Sequence, residues 1–131
     1  MSGIERFGSG GPWEARVGYS RVVRAGDGVH VSGCTAIDEH GDLIGEGNVY
    51  LQASQAIRNV ERALAQAGAT LADVVRTRVY LVDATRWEEA GRAHGEAFGE
   101  IRPANTMLEV GALLDPRLLV EIEADAYAPR S

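Results

Sequence analysis

The sequence predicts an α+β fold, a mixed sheet with two helices on one face. Two stretches, Val74–Val82 and Leu119–Tyr127, alternate side-chain character in the manner of half-buried strands. Between the chain's start and these strands, Leu51, Ala53, Ala56, Ile57, Val60, Ala63, Leu64 and Ala67 recur at three- and four-residue steps, the period of an amphipathic helix. Upstream, Gly26-Asp27-Gly28 separates two short runs rich in β-branched residues, which is a hairpin signal.

Taken in order, the first dozen residues are rich in Gly and Ser and read as a loose arm. Tyr19–Ala25 and Val29–Gly33 read as the hairpin strands. Asp38–Asn48, with Gly41, Gly45 and Gly47, reads as a surface loop; it lacks the spacing and the lysine of a phosphate-cradling loop. Gly68 closes the first long helix. Thr85 and Glu88 fit a capping box, which predicts a second helix running to about Phe98. Pro103 breaks the chain before a strand that includes Ala104–Val110. Asp115-Pro116 marks a turn, and the last strand ends near Tyr127.

The chain's 131 residues suit one domain, spanning 1–131, with a core large enough to fold alone. Hydrophobic content of 45% and charged content of 24% are those of an ordinary globular chain. With 19 acidic against 13 basic residues the net charge is −6, which disfavours a nucleic-acid partner. The single cysteine, Cys34, leaves no internal disulfide to form. No apolar run is long enough to span a bilayer, so no membrane partner is expected and a cytoplasmic location is the default expectation. His30, His40 and His94 lack metal-ligand spacing, so no metal is expected.

Two helices can cover one face of this sheet. Val75, Thr77, Val79 and Leu81 share that face with Val120, Ile122, Ala124 and Ala126. The opposite face carries Arg76, Arg78 and Tyr80, and also Leu119, Glu121, Glu123, Asp125 and Tyr127. It is too charged for a core and too apolar for plain solvent. A charge set in a sheet is costly unless it is paired or solvated, so an interface between subunits with embedded ion pairs is expected.

Several segments together resemble the YjgF/RidA family of reactive-intermediate deaminases. They are Gly18-Tyr19-Ser20, Val31-Ser32-Gly33, and the helix with Gln55, Asn59 and Val60. They continue with Val74-Val75-Arg76-Thr77-Arg78-Val79-Tyr80-Leu81, Pro103-Ala104, Glu109-Val110 and Val120-Glu121-Ile122-Glu123-Ala124. The resemblance runs from Tyr19 to Ala126. It implies a chorismate-mutase-like fold and a homotrimer with small-molecule sites in clefts between subunits. It also implies hydrolysis of enamines and imines to a keto acid and ammonia, without a cofactor.

One position departs from the pattern. Asn105 stands where deaminating members carry an arginine that grips the substrate carboxylate. An arginine does this with two parallel, permanently charged donors, whereas an asparagine amide is neutral. Arg21, Arg24, Arg102 and Arg117 are the cations that could supply the charge from another direction. Glu121 matches the family residue that orients the attacking water; its other reading is an ion pair with Arg76 or Arg78. Tyr19 matches a tyrosine that closes over the substrate, or it fills the end of the hairpin. Ser32 and Gly33 match pocket-lining backbone, or form a strand-end bulge. Thr106 and Met107 follow Asn105 along the expected pocket wall, where Met107 serves equally well as a core residue. Glu123 reads as structural. Cys34 reads as an inert apolar residue, because His30 lies about 13 Å away along the same strand.

These readings imply an imine or enamine hydrolase whose substrate differs from that of the arginine-bearing members. The alternatives are a non-catalytic small-molecule-binding trimer, a pathway-specific relative such as those acting on 2-aminomuconate, and an endoribonuclease or translation inhibitor, which the acidic balance makes weakest.

Overall fold

A computed structural model describes residues 3–130. The elements are β1 (Ile4–Phe7), α1 (Pro12–Val17), β2 (Val22–Ala25), β3 (Gly28–Cys34), α2 (Val49–Gln66), β4 (Val74–Leu81), α3 (Trp87–Phe98), β5 (Ala104–Glu109) and β6 (Val120–Tyr127). The six strands form one sheet in the order β1-β2-β3-β6-β4-β5. Every pairing is antiparallel except β4 with β5. That parallel pair is joined through α3, the connection that parallel strands require.

The sheet is mixed and one face is covered by α2 and α3, as the alternation predicts. Val79, Leu81, Val120, Ile122 and Ala124 are buried with Ala53, Ala56, Val60 and Leu64 of α2 and with Ala90, Ala93 and Phe98 of α3. Gly68 follows α2 in the left-handed region, as expected of its cap. Asn48 caps the start of α2 by accepting the Leu51 N–H at 2.9 Å. Leu51 itself is 43% exposed, whereas Gln52 beside it is fully buried. The Gln52 amide donates to the carbonyls of Gly45 and Arg117, and its oxygen accepts the Leu119 N–H at 2.9 Å. One buried side chain thus anchors the entry to β6, the strand that carries Glu121.

Four expectations need correction. The N-terminal arm is not loose: Ile4–Phe7 pairs antiparallel with Val22–Ala25, satisfying an otherwise open strand edge. Pro12–Val17 is a short helix with Pro in its first turn. It ends at Gly18, whose φ of 91° is open to glycine and strained for most other residues. Tyr19 therefore leaves the end of α1, and its hairpin strand begins only at Val22. Val75 is not on the covered face. Val74 pairs with Ala126 and Arg76 with Asp125, so Val75 is an extra residue in a bulge and is 53% exposed. Lastly, α3 is not started by Thr85 and Glu88. Asp83 accepts from the Thr85 N–H and hydroxyl, a single 3₁₀ turn follows, and the helix begins at Trp87.

The loop over 38–48 is organised by Asp38, whose Oδ1 accepts the N–H groups of His40 and Asp42. Its converging amides already hold a carboxylate of the chain itself.

Arg24, 1% exposed, donates from Nε to the Ala67 carbonyl at 2.8 Å and from Nη1 to the carbonyls of Gly26 and Ala128 at 2.9 Å. It fastens the end of α2, the β2–β3 turn and the segment after β6 to one another. Among the described residues no helix is long and apolar enough to cross a membrane.

Candidate functional site

The site is organised by a defect in β3. Val31 pairs with Ala124 and Cys34 with Ile122, so the register shifts between them and Ser32-Gly33 forms a bulge. A bulge takes backbone carbonyls out of the ladder, and they need other donors. Arg21 supplies them. Its Nη1 donates to the Gly33 carbonyl at 2.6 Å and to the Ser32 carbonyl at 3.3 Å. Its Nη2 donates to the Tyr19 hydroxyl at 3.2 Å, and the guanidinium also lies 5.5 Å from the centre of the Tyr19 ring. Glu14 of α1 completes the pairing at 3.5 Å. The Ser32 hydroxyl donates to the Ser20 carbonyl at 2.6 Å, binding the bulge to the chain before β2.

Glu121 projects from β6 against this bulge. A methyl group built on Gly33 would overlap the Glu121 carboxylate, so the missing side chain of Gly33 is what admits the carboxylate. Glu121 is half-buried. Among the described residues no hydrogen bond or ion pair reaches its carboxylate. Desolvation pushes its carboxyl above the ordinary carboxylate range; Glu123 adds to the rise and Arg21 opposes it. Within the protomer, then, the ion-pair reading for Glu121 does not apply. Arg78 pairs with Asp125 at 2.9 Å and with Glu123 at 3.5 Å, and Arg76 donates to the Thr106 hydroxyl at 2.6 Å. Glu123 also accepts the Tyr80 hydroxyl at 2.7 Å, the structural part expected of it.

Cys34 is buried, and burial pushes its thiol up to about 11, with Arg21 opposing. It stays protonated and unreactive near neutral pH. His30 faces Asp125 at 2.7 Å on the exposed side. No cluster of three metal-ligating side chains occurs among the described residues.

Asn105 occupies a different part of the molecule. Its amide donates to the Thr77 hydroxyl at 3.0 Å, and that hydroxyl contacts Nε2 of His94 at 2.8 Å. Thr77 is fully buried, and burial pushes His94 down in pKa, so this chain of groups is uncharged. Along β4, Asn105 pairs with Thr77 while Glu121 pairs with Tyr80. The two are about 10 Å apart along the strands and about 10 Å apart across the sheet, on opposite faces. A single chain brings Tyr19, Ser32, Gly33 and Glu121 together and leaves Asn105 and Met107 elsewhere. Thr106 points to the charged face, under Arg76. Met107, with Leu81, Ala84, Trp87 and Leu108, lines an open apolar recess of about 310 Å³.

Of the four arginines weighed as replacement cations, Arg24 is consumed by three carbonyls. Arg117 is held by Asp115 through Nε at 3.1 Å and Nη2 at 2.8 Å. Arg102, exposed and with a φ of 58°, donates to the Gly99 carbonyl at 3.3 Å. Arg21 alone of the four faces the Glu121 carboxylate. Sequence reasoning gave it no special place. The available signal was its position two residues after Tyr19, which puts it beside the same pocket.

Substituting Gly33→Ala tests how the carboxylate is seated. The atoms in the way are the outer atoms of a side chain, so the fold is expected to survive with a loss under about 1.5 kcal/mol. The carboxylate must move, and the hydrolysis that the family resemblance implies is expected to fall by tenfold or more. Thermal melts alongside steady-state rates separate the two effects. Full activity in the alanine variant would show that Glu121 needs no contact with the bulge.

A family model described as endoribonuclease L-PSP matches residues 12–128. An uncharacterized protein of Streptomyces coelicolor is 42% identical over 125 residues, covering 95% of this chain and 92% of its own length. The 3-aminoacrylate deaminase RutC of Acinetobacter baylyi is 30% identical over 109 residues, with 83% of this chain and 86% of that protein covered. Among solved structures, a Mycobacterium tuberculosis member of the YjgF/YER057c/UK114 family gives a TM-score of 0.88 at 51% identity, covering 95% of this chain and 99% of that one. The E. coli YjgF gene product gives 0.77 at 27% identity, covering 83% and 87%.

Proposed function

This chain belongs to the endoribonuclease L-PSP family, which is the YjgF/RidA family, and on that premise we propose that it hydrolyses small imines or enamines in clefts between the subunits of a homotrimer. The observation that carries the reading is the Glu121 carboxylate, half-buried against Gly33, free of any partner among the described residues and raised in pKa by desolvation. Such a group is suited to hold a water molecule and take its proton. As the water oxygen bonds to the carbon of a protonated imine, Glu121 accepts a proton and a carbinolamine forms. Returning that proton to nitrogen lets the carbon–nitrogen bond break, giving a carbonyl compound and ammonia. The name of the Acinetobacter relative, a 3-aminoacrylate deaminase, supports the same general chemistry.

The substrate is proposed to differ from that of arginine-bearing members. Asn105 heads an uncharged chain through Thr77 and His94, which suits a neutral polar group better than a carboxylate. The trimer is proposed because a second subunit is needed to bring an Asn105 to a Glu121, and because the face with Arg78, Glu123 and Asp125 is half-buried and charged.

The test compares imines freshly generated by an amine oxidase, which carry no carboxylate, with those from an amino-acid oxidase. Ammonia release is timed with and without this protein. Acceleration is expected for the first set and little for the second. No acceleration of either would overturn the hydrolase reading in favour of a binding role. Light scattering at micromolar concentration is expected to give three times the chain mass, and a persistent monomer would remove the shared cleft.

A further inference from the structure

We propose that Arg21 is a positioning residue for Glu121: one guanidinium that fixes the Gly33 carbonyl and the Tyr19 hydroxyl beside that carboxylate and sets a positive charge facing it. This rests on the hydrolase reading for its use, though not for its geometry.

Ser32 and Gly33 need donors that the sheet no longer offers, and the Arg21 side chain, 17% exposed, provides them at 3.3 and 2.6 Å. The same fork reaches Tyr19, so the bulge carbonyls and the Tyr19 hydroxyl are held by one rigid planar group. Arg21 is in turn aimed by Glu14, which accepts the Ser9 N–H at 3.0 Å and the Ser9 hydroxyl. Burial works against the Glu14 charge, but the Ser9 donors and Arg21 outweigh it and keep the carboxylate ionised. A chain of contacts therefore runs from the segment before α1 through Glu14 and Arg21 to the bulge on which Glu121 rests.

The charges around Glu121 leave Arg21 a clear part. From β6 itself Glu123 repels the carboxylate, and from β4 Tyr80 faces it as a phenol whose own proton is held by Glu123. From β3 comes the neutral thiol of Cys34, which also feels Arg62 of α2. From the residue just before β2 comes Arg21, which favours the ionised form of Glu121. An arginine that only satisfied carbonyls would be replaceable by any donor of similar length. One that also holds the carboxylate ionised would not.

The experiment follows the Glu121 carboxyl directly, by carbon-13 NMR titration of glutamate-labelled protein, in wild type, Arg21→Gln and Arg21→Lys. The kcat/KM of each protein is recorded across the same pH range. In Arg21→Gln the Glu121 midpoint is expected to move up, and kcat/KM to fall about tenfold more on the acid side than on the alkaline side. Arg21→Lys is expected to keep the midpoint near wild type, because its charge remains. Should Arg21→Gln not fold, Glu14→Gln provides the second test: removing the carboxylate that aims Arg21 is expected to move the Glu121 midpoint up as well. A midpoint unmoved by Arg21→Gln, or by Glu14→Gln where the former cannot be measured, overturns the proposal. Absence of imine hydrolysis in every protein overturns the hydrolase reading alone, since the titration still decides the part played by Arg21.

Discussion

Glu121→Gln is expected to lower kcat for imine hydrolysis by about 10²–10⁴, the usual loss when a positioned base is removed. Glutamine keeps the shape and can still touch water, but it cannot take a proton. The pH dependence has a definite sense. Because the Glu121 carboxyl is raised, it is protonated, and useless as a base, over a range of pH in which an ordinary carboxylate would already work. The acid limb of wild-type kcat/KM is therefore expected above the usual carboxylate range, and the limb is expected to vanish in the variant.

Stability should run the other way. A carboxyl whose pKa is higher in the folded state than in the unfolded chain favours folding when protonated. Its contribution is present at low pH and is lost as pH rises from the unfolded value through the folded one. At pH 8 Glu121→Gln is thus expected to melt at the same temperature as wild type or higher. At pH 4 the two should converge. A variant that is less stable at pH 8 and fully active would refute both the base and its desolvated setting.

Asn105→Arg is expected to raise kcat/KM for carboxylate-bearing imines by about a hundredfold, the equivalent of a few kcal/mol from a charged, two-pronged bond. The change costs the hydrogen bond from Asn105 to Thr77, but the Thr77 hydroxyl retains His94 as a partner, so the fold is expected to hold. The assay couples a threonine dehydratase to the appearance of 2-ketobutyrate. Adding Glu121→Gln to Asn105→Arg should erase the gain. If wild type matched Asn105→Arg, a cation elsewhere would be gripping the carboxylate. Arg117 and Arg24 are already committed to Asp115 and to backbone carbonyls. Arg102 and Arg21 would then be the residues to replace.

Much of this architecture is readable in the amino-acid order, and what is not has identifiable causes. Long periodic segments carry their own evidence, so α2, β4 and β6 stand where alternation and helical spacing put them. The four-residue strand Ile4–Phe7 is too short to show a period, and its pairing with β2 depends on an edge that exists only in the folded sheet. Both bulges escape a period-two reading, because an inserted residue shifts every side chain beyond it. Alternation assigns Val75 to the wrong face for that reason, and it allows the Ser32-Gly33 bulge only as one of two readings. The site was half visible. Glu121, Gly33 and Tyr19 do converge, yet that Asn105 lies two strands away on the other face follows from strand order, which no local pattern encodes.

Arg24 has a consequence for how the molecule breathes. Its three carbonyl partners belong to the end of α2, to the β2–β3 turn and to the segment following β6, places where a chain ordinarily frays on its own. Here, loosening any one of them strands a buried guanidinium, so amide protons in all three should exchange with solvent as a group, at the rate of the slowest rather than the fastest. The end of the sheet farthest from Glu121, where Gly28 pairs with Tyr127, is thereby spared the independent fraying that would otherwise begin to part β3 from β6.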